Sequence, residues 1–208
     1  MRIAAFLIVL LALAPPLPGR AADKAGVFDY YVLALSWNAA WCEADGAARG
    51  APQCDRDRDI GFVLHGLWPQ YLDGWPAYCA TDHRDPSRAE TAAMADIMGS
   101  AGLAWHEWKK HGRCSGLDAA AYFALARQAW NAIRRPAILR QTSAPLVLDP
   151  EKIEGSFLAE NPGFAADSVT VTCKAGVIRE VRICLARDLS PRPCTGPAAR
   201  GCGAGDAI

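Results

Sequence analysis

Two of the chain's four histidines stand five residues apart in Trp105-His106-Glu107-Trp108-Lys109-Lys110-His111-Gly112, with a carboxylate and two lysines between them. A third, His65, opens His65-Gly66-Leu67-Trp68-Pro69. An imidazole titrates near pH 6.5, so one histidine can accept a proton while another, still protonated, donates one. On a helix with about 100° per residue, His106 and Lys110 fall about 40° apart, as do Glu107 and His111, and all four share an arc of about 140°. Trp105, Trp108 and Gly112 take the opposite side. The two indoles are expected to bury the helix there, and Gly112 to end it in a left-handed residue.

Two histidines and a lysine match what transfer of a phosphodiester to an internal 2′-hydroxyl needs. A base takes the 2′-OH proton, an acid protonates the departing 5′-oxygen, and cations steady the charge on the phosphoryl oxygens. RNA carries that nucleophile and DNA does not, so the first step requires no metal-activated water. A zinc helix of the His-Glu-x-x-His kind needs histidines four apart. The spacing of five turns these imidazoles about 140° apart, and Lys110 in the same arc would repel a dication, so a metalloprotease fits only if the segment is not helical. A disulfide-rich binding module with scattered core histidines has no need of acid, base and cation on one short segment. His83, in the polar stretch Thr81-Asp82-His83-Arg84-Asp85, reads as structural.

The elements that must hold these residues can be read in order. Residues 28–37 are aromatic and β-branched, as in a central strand buried on both faces. Residues 39–59 form a Gly-, Ala-, Asp- and Arg-rich surface excursion. A second strand, 61–64, runs into His65 and a Trp-Pro turn, and residues 70–86 are loop. A helix starts at Asp85-Pro86-Ser87, with Asp85 as N-cap and Pro86 in the first helical position, and runs to about Met98. The helix carrying His106 and His111 spans about 103–111. A longer one, 118–135, has an apolar stripe of Tyr122, Phe123, Ala126, Trp130 and Ile133 and stops at Pro136. A short helix follows from Asp149-Pro150 to about Glu160. Residues 168–173 and 177–184, joined by Lys174-Ala175-Gly176, read as a hairpin. Strands and helices are partly segregated, so the fold class is α+β in one domain.

The 208 residues, 51% hydrophobic, suffice for one well-buried domain. Met1-Arg2, the short apolar run 3–13, the prolines at 15, 16 and 18, and Gly19-Arg20-Ala21 read as a leader, residues 1–22, cleaved to leave a domain from 23 to 208. The expectation is an exported protein, periplasmic or secreted, with no membrane association once the leader is gone. A formal charge of zero gives no bulk attraction to nucleic acid, so any polyanion site must be a local positive patch. Eight cysteines in an exported chain read as four disulfides, with 105 pairings open. None forms a Cys-x-x-Cys pair, so no zinc ribbon or redox motif is offered.

His65-Gly66-Leu67-Trp68-Pro69 together with His106-Glu107-Trp108-Lys109-Lys110-His111-Gly112 resembles the two active-site segments of the ribonuclease T2 family. Tyr31 to Trp37 resembles that family's first core strand, while Asn161-Pro162-Gly163 and Glu180-Val181-Arg182-Ile183-Cys184 resemble the C-terminal part of its bacterial branch. The resemblance implies a central antiparallel sheet flanked by helices and a metal-independent, cofactor-free endoribonuclease of low base specificity. Its expected partner is single-stranded RNA, not DNA, and it is expected to act as a monomer. It further implies His111 as general base and His65 as general acid, the roles reversing when the 2′,3′-cyclic phosphate is hydrolysed to a 3′-phosphate. His106 would bind phosphate or assist His65, while Glu107 and Lys110 would stabilise the transition state. Lys109 has no counterpart role. Trp68 would stack on a base, and Gln70 stands where base preference is partly set. The implied disulfides are Cys79–Cys114, Cys42–Cys54, Cys173–Cys202 and Cys184–Cys194. Met98-Gly99-Ser100 replaces a frequent Met-Pro-Ser, and Arg113 a frequent Thr, which leaves nucleotide preference open. A silent RNA-binding or partner-binding protein of the same fold is the alternative; the intact catalytic positions argue against it.

Overall fold

The first six residues of β1 (Tyr30–Trp37) are buried on both sides, and they divide between two cores. Tyr31, Leu33 and Leu35 face a large cluster, while Tyr30, Val32 and Ala34 face a small one. The computed structural model describes residues 23–55, 61–139, 149–174 and 177–203. The expected leader, residues 1–22, lies outside the described residues, as do Ala175 and Gly176 of the expected hairpin turn. With β2 (Phe62–Gln70), β3 (Val169–Lys174) and β4 (Val177–Leu185), β1 forms an antiparallel sheet of order β2-β1-β4-β3. The class is α+β.

Helices cover one face. After α1 (Asn38–Trp41), α2 (Arg88–Ala92), α3 (Ala95–Met98), α4 (Ala101–Lys110), α5 (Ala119–Ala132) and α6 (Pro150–Glu160) follow in order. Met98, Trp108, Tyr122, Phe123 and Phe157 meet Leu33, Leu35, Leu64 and Leu67 in the large cluster. Each such side chain contributes roughly 1.5–3 kcal/mol on burial. The α5 stripe is the expected one, and Asp118 caps the helix by accepting from the Ala121 N–H. The second face is covered only in part, by the Cys184–Cys194 disulfide and Ala198 of the C-terminal segment. The rest of it is open, and the site lies there.

Several boundaries differ from the sequence reading. β2 does not stop before His65 but continues through the Trp-Pro pair to Gln70; it is an edge strand, where a proline removes no ladder bond that a neighbour needs. The helix expected from Asp85 begins instead after Ser87. The Ser87 hydroxyl accepts from the Glu90 N–H and the Glu90 carboxylate accepts from the Ser87 N–H, a reciprocal cap, and the helix is interrupted at 93–94. Asp85 is thereby free to accept from the Trp108 indole at 2.8 Å and to pair with Arg113 at 2.6 Å. Gly112 does not take a left-handed conformation; it starts a tight turn to Ser115, and Gly116 has the positive φ of 78°. Gly112 is small because a Cβ would lie 2.6 Å from the Trp108 ring and 2.9 Å from the Tyr122 ring.

Four disulfides are closed: Cys42–Cys54, Cys79–Cys114, Cys173–Cys202 and Cys184–Cys194. Cys79–Cys114, with the Tyr78 N–H donating to the Lys110 carbonyl at 2.9 Å, ties a distant loop to the exit of α4. Replacing Cys79 and Cys114 together by alanine is expected to cost about 2–5 kcal/mol of stability. The same change at Cys42 and Cys54 should cost about 1 kcal/mol less, because the loop they close is 12 residues against 35. Denaturant unfolding of the two double variants measures the difference.

Candidate active site

The position of His65 follows from a fault in strand alternation. Leu35 pairs with Leu64 and Ala34 with Gly66, which leaves His65 as an extra residue in β2. Leu64 and Leu67, three apart, would point to opposite faces of a regular strand, yet both are in the large core. The bulge reconciles them and turns His65 to the open face of the sheet, where its side chain is 33% exposed. Gly66 and Trp68, opposite Ala34 and Val32, share that face.

Helix α4 supplies the other wall. Ala104 and Trp108 enter the large core, while Glu107 and His111 are buried on the side of the open face. Trp68 joins the two elements. Its indole N–H donates to Glu107 Oε2 at 2.7 Å, its ring stacks on His111 at 5.1 Å, and it makes an edge-to-face contact with the His65 ring at 5.1 Å. Gly66 is small for this reason: a Cβ there would collide with both Glu107 Oε2 and the Trp68 indole nitrogen. His65 Nε2 lies 3.6 Å from Glu107 Oε1, and His65 Nδ1 lies 2.5 Å from Glu180 Oε1 on β4.

Burial and charge give the two histidines opposite proton affinities. At His65 burial opposes protonation, but the Glu180 hydrogen bond and the charges of Glu107 and Glu180 outweigh it and hold the pKa above the ordinary imidazole value. At His111 burial and the positive charges of Lys110, His65 and His106 act together and push the pKa down to about 3. The Nδ1 of His111 is buried with no hydrogen-bond partner among the described residues, in keeping with a neutral ring. Burial raises Glu107 to about 7 against the pull of His65, the Trp68 indole and Lys110. His106 is exposed, its pKa lowered by desolvation and by Lys110, His65 and Lys109.

A cleft of about 410 Å³ runs beside this cluster, lined by Trp68, Gln70, Trp75, Lys110, His111, Arg182 and Arg200 among others. Of the residues singled out from sequence, His65, His106, Glu107, Lys110 and His111 therefore converge, with Trp68 among them. Gln70 lines the cleft, but it is buried and its amide donates to the Pro69 carbonyl at 2.9 Å. Lys109 turns away, over the Trp105 ring. That indole is only half-buried, so of the two indoles only Trp108 enters the core, contrary to the two-indole reading. His83 sits on an exposed loop elsewhere. Among the described residues no group of His, Cys, Asp and Glu is arranged to hold a metal. Glu180, Arg182, Trp75 and Arg200 had no assigned role in the sequence reading. The signal for the first two was there: two charges at alternate positions of a strand share a face.

The family model described as Ribonuclease T2 family matches residues 28–194. Over 107 residues the chain is 45% identical to the "Ribonuclease" of Aeromonas hydrophila, covering 51% of this chain and 47% of that protein. The chain spans about half the length of these curated relatives. Among solved structures, trichomaglin, described as a novel S-like ribonuclease, superposes with a TM-score of 0.65 at 22% identity, covering 85% of this chain and 95% of that one. RNase NT, solved in complex with 5′-AMP, does so with a TM-score of 0.60 at 23% identity, covering 85% and 96%. At these identities the structures speak to the fold alone.

Gly66→Ala should cost about 1–3 kcal/mol, because its methyl must displace the Trp68–Glu107 pair. Trp68→Phe should raise the Glu107 pKa further, since the indole hydrogen bond is one of the groups lowering it. Denaturant unfolding tests the first, and NMR titration of the Glu107 carboxyl carbon the second.

Proposed function

The chain belongs to the ribonuclease T2 family, and from that premise we propose that it is an endoribonuclease that cleaves single-stranded RNA without a metal and with little base specificity. His111 takes the proton of the 2′-hydroxyl, the 2′-oxygen attacks phosphorus, and protonated His65 gives its proton to the departing 5′-oxygen. The product is a 2′,3′-cyclic phosphate. In the second step His65 takes a proton from water and His111 returns one to the 2′-oxygen, leaving a 3′-phosphate.

The observation that carries this reading is the opposed proton affinity of two histidines in contact with one indole. A neutral imidazole can act as base only if its partner stays protonated at the same pH, and the charges around each ring favour that division. An anionic phosphate beside Lys110, His106 and His111 would offset the positive charge that depresses His111 and bring its pKa toward the working pH. Lys110 lines the cleft and exposed His106 stands on the same helix, so both are suited to the phosphoryl oxygens. Glu107, buried between Trp68 and His65, balances their charge. Trp75 and the accessible part of Trp68 offer aromatic surface to bases, and stacking tolerates any base. Four disulfides support an oxidising compartment, hence export to periplasm or medium. We take the active species to be a monomer.

RNA incubated with the pure protein in excess EDTA should yield 2′,3′-cyclic phosphate ends, and DNA of the same sequence should stay intact. His65→Ala and His111→Ala should each lower kcat/KM by roughly 10²–10⁴-fold. Activity abolished by EDTA, or retained in the double variant, would contradict the assignment. The pH profile of kcat/KM should be bell-shaped. Activity falls on the acid side as His111 gains a proton, and on the alkaline side as His65 loses its proton above the ordinary imidazole value.

A further inference from the structure

β2 and β4 are not neighbours; β1 lies between them, so His65 and Glu180 belong to strands about 9–10 Å apart. Their side chains meet because the residues of β1 beneath them, Ala34 and Ser36, are small, and because the bulge frees His65 from the register. The contact is short, 2.5 Å from Nδ1 to Oε1, and the Glu180 side chain is only 12% exposed. The other Glu180 oxygen, Oε2, accepts from Nε and Nη2 of Arg182, each at 3.3 Å. Arg182 in turn lies 5.9 Å over the Trp68 ring. A carboxylate is thus fixed on one nitrogen of His65, and the other nitrogen faces Glu107.

We propose that Glu180 is a positioning residue: it binds His65 Nδ1–H, so that Nε2 is the nitrogen that gives and later takes the proton, and Arg182 holds Glu180 in place. This rests on the reading of His65 as the acid. In the first step the 2′-oxygen–phosphorus bond forms and the phosphorus–5′-oxygen bond breaks. The 2′-OH proton goes to His111, and the Nε2 proton of His65 goes to the 5′-oxygen. His65 is left neutral with its remaining proton on Nδ1, held by Glu180. Its Nε2 lone pair is then ready to take the proton of water in the second step, without a ring flip or tautomer exchange. The groups facing His65 are Glu180 and Arg182 from β4 and His106, Glu107, Lys110 and His111 from α4 and its end. Glu180 is the one among them in hydrogen-bond contact.

The test compares RNA with a nucleoside 3′-(4-nitrophenyl phosphate), whose phenolate departs without needing a proton. Glu180→Ala should lower kcat/KM on RNA at least about 10-fold and on the aryl ester less than about 3-fold, since general-acid assistance contributes roughly 10²–10⁴-fold only where the leaving group requires it. Glu180→Gln keeps the shape and removes the charge, and should move the alkaline limb of the RNA profile down by about 1 pH unit or more. Equal losses on both substrates with an unmoved limb, or no loss on RNA, would overturn the proposal. If the variants do not fold, ¹⁵N NMR of the wild type decides: the neutral His65 ring should carry its proton on Nδ1, and a proton on Nε2 would overturn the inference. Wild-type protein that fails to cleave RNA in EDTA sinks the functional reading instead, and the NMR result still judges the contact.

Discussion

A hydrogen bond from the Trp68 indole to a carboxylate of Glu107 that is 1% exposed joins the edge strand of the sheet to α4. The residues of the candidate site are arranged about it. His65 makes an edge-to-face contact with that indole and His111 stacks on its face. The join is energetically exposed, because a desolvated carboxylate with a lost donor costs on the order of 1–3 kcal/mol or more. It is possible only because residue 66 has no side chain. The glycine between a histidine and a tryptophan is therefore a clearance for a hydrogen bond between two other residues, and not a turn residue.

From this geometry come two imidazoles of opposite character within one small site. Chemically the rings are the same; the neighbours differ. His65 has a carboxylate on each nitrogen, at 2.5 and 3.6 Å. His111 has none, only an indole face, burial and nearby positive charge. Charges at such distances in a partly desolvated site act far more strongly than in water. An acid and a base can therefore coexist at one pH with no difference in side-chain chemistry.

The remaining scaffold holds the two walls still. Trp108 drives one side of α4 into the core and is itself tethered through Asp85, which Arg113 also grips. Arg113, where a threonine is frequent in the family it resembles, thus has a role in bracing α4. The Cys79–Cys114 disulfide fixes the turn that follows His111. On the far side, β4 is a central strand, buried between β1 and β3, so Glu180 and Arg182 are presented on backbone that cannot drift.

Much of the molecule was legible in local pattern. The period of the α5 stripe, the alternation of β3 and β4, the even cysteine count and the clustering of His106, Glu107, Lys110 and His111 on one segment are properties of near neighbours in the chain, which backbone geometry turns directly into shared faces. His65 also stood out, by its aromatic and glycine-marked setting. Local pattern misjudged the start of α2, because Asp85 and Ser87 are both good caps and the choice went to the one without a tertiary partner. It also missed the bulge, which exists to keep Leu64 and Leu67 in one core. Glu180, 115 residues from His65, could not be joined to it from sequence at all. Which residues are able to carry protons was decided by the chain's own order of side chains. Which of them holds its proton more tightly was decided only by folding, because proton affinity depends on burial and on charges brought close by strand order and not by sequence distance.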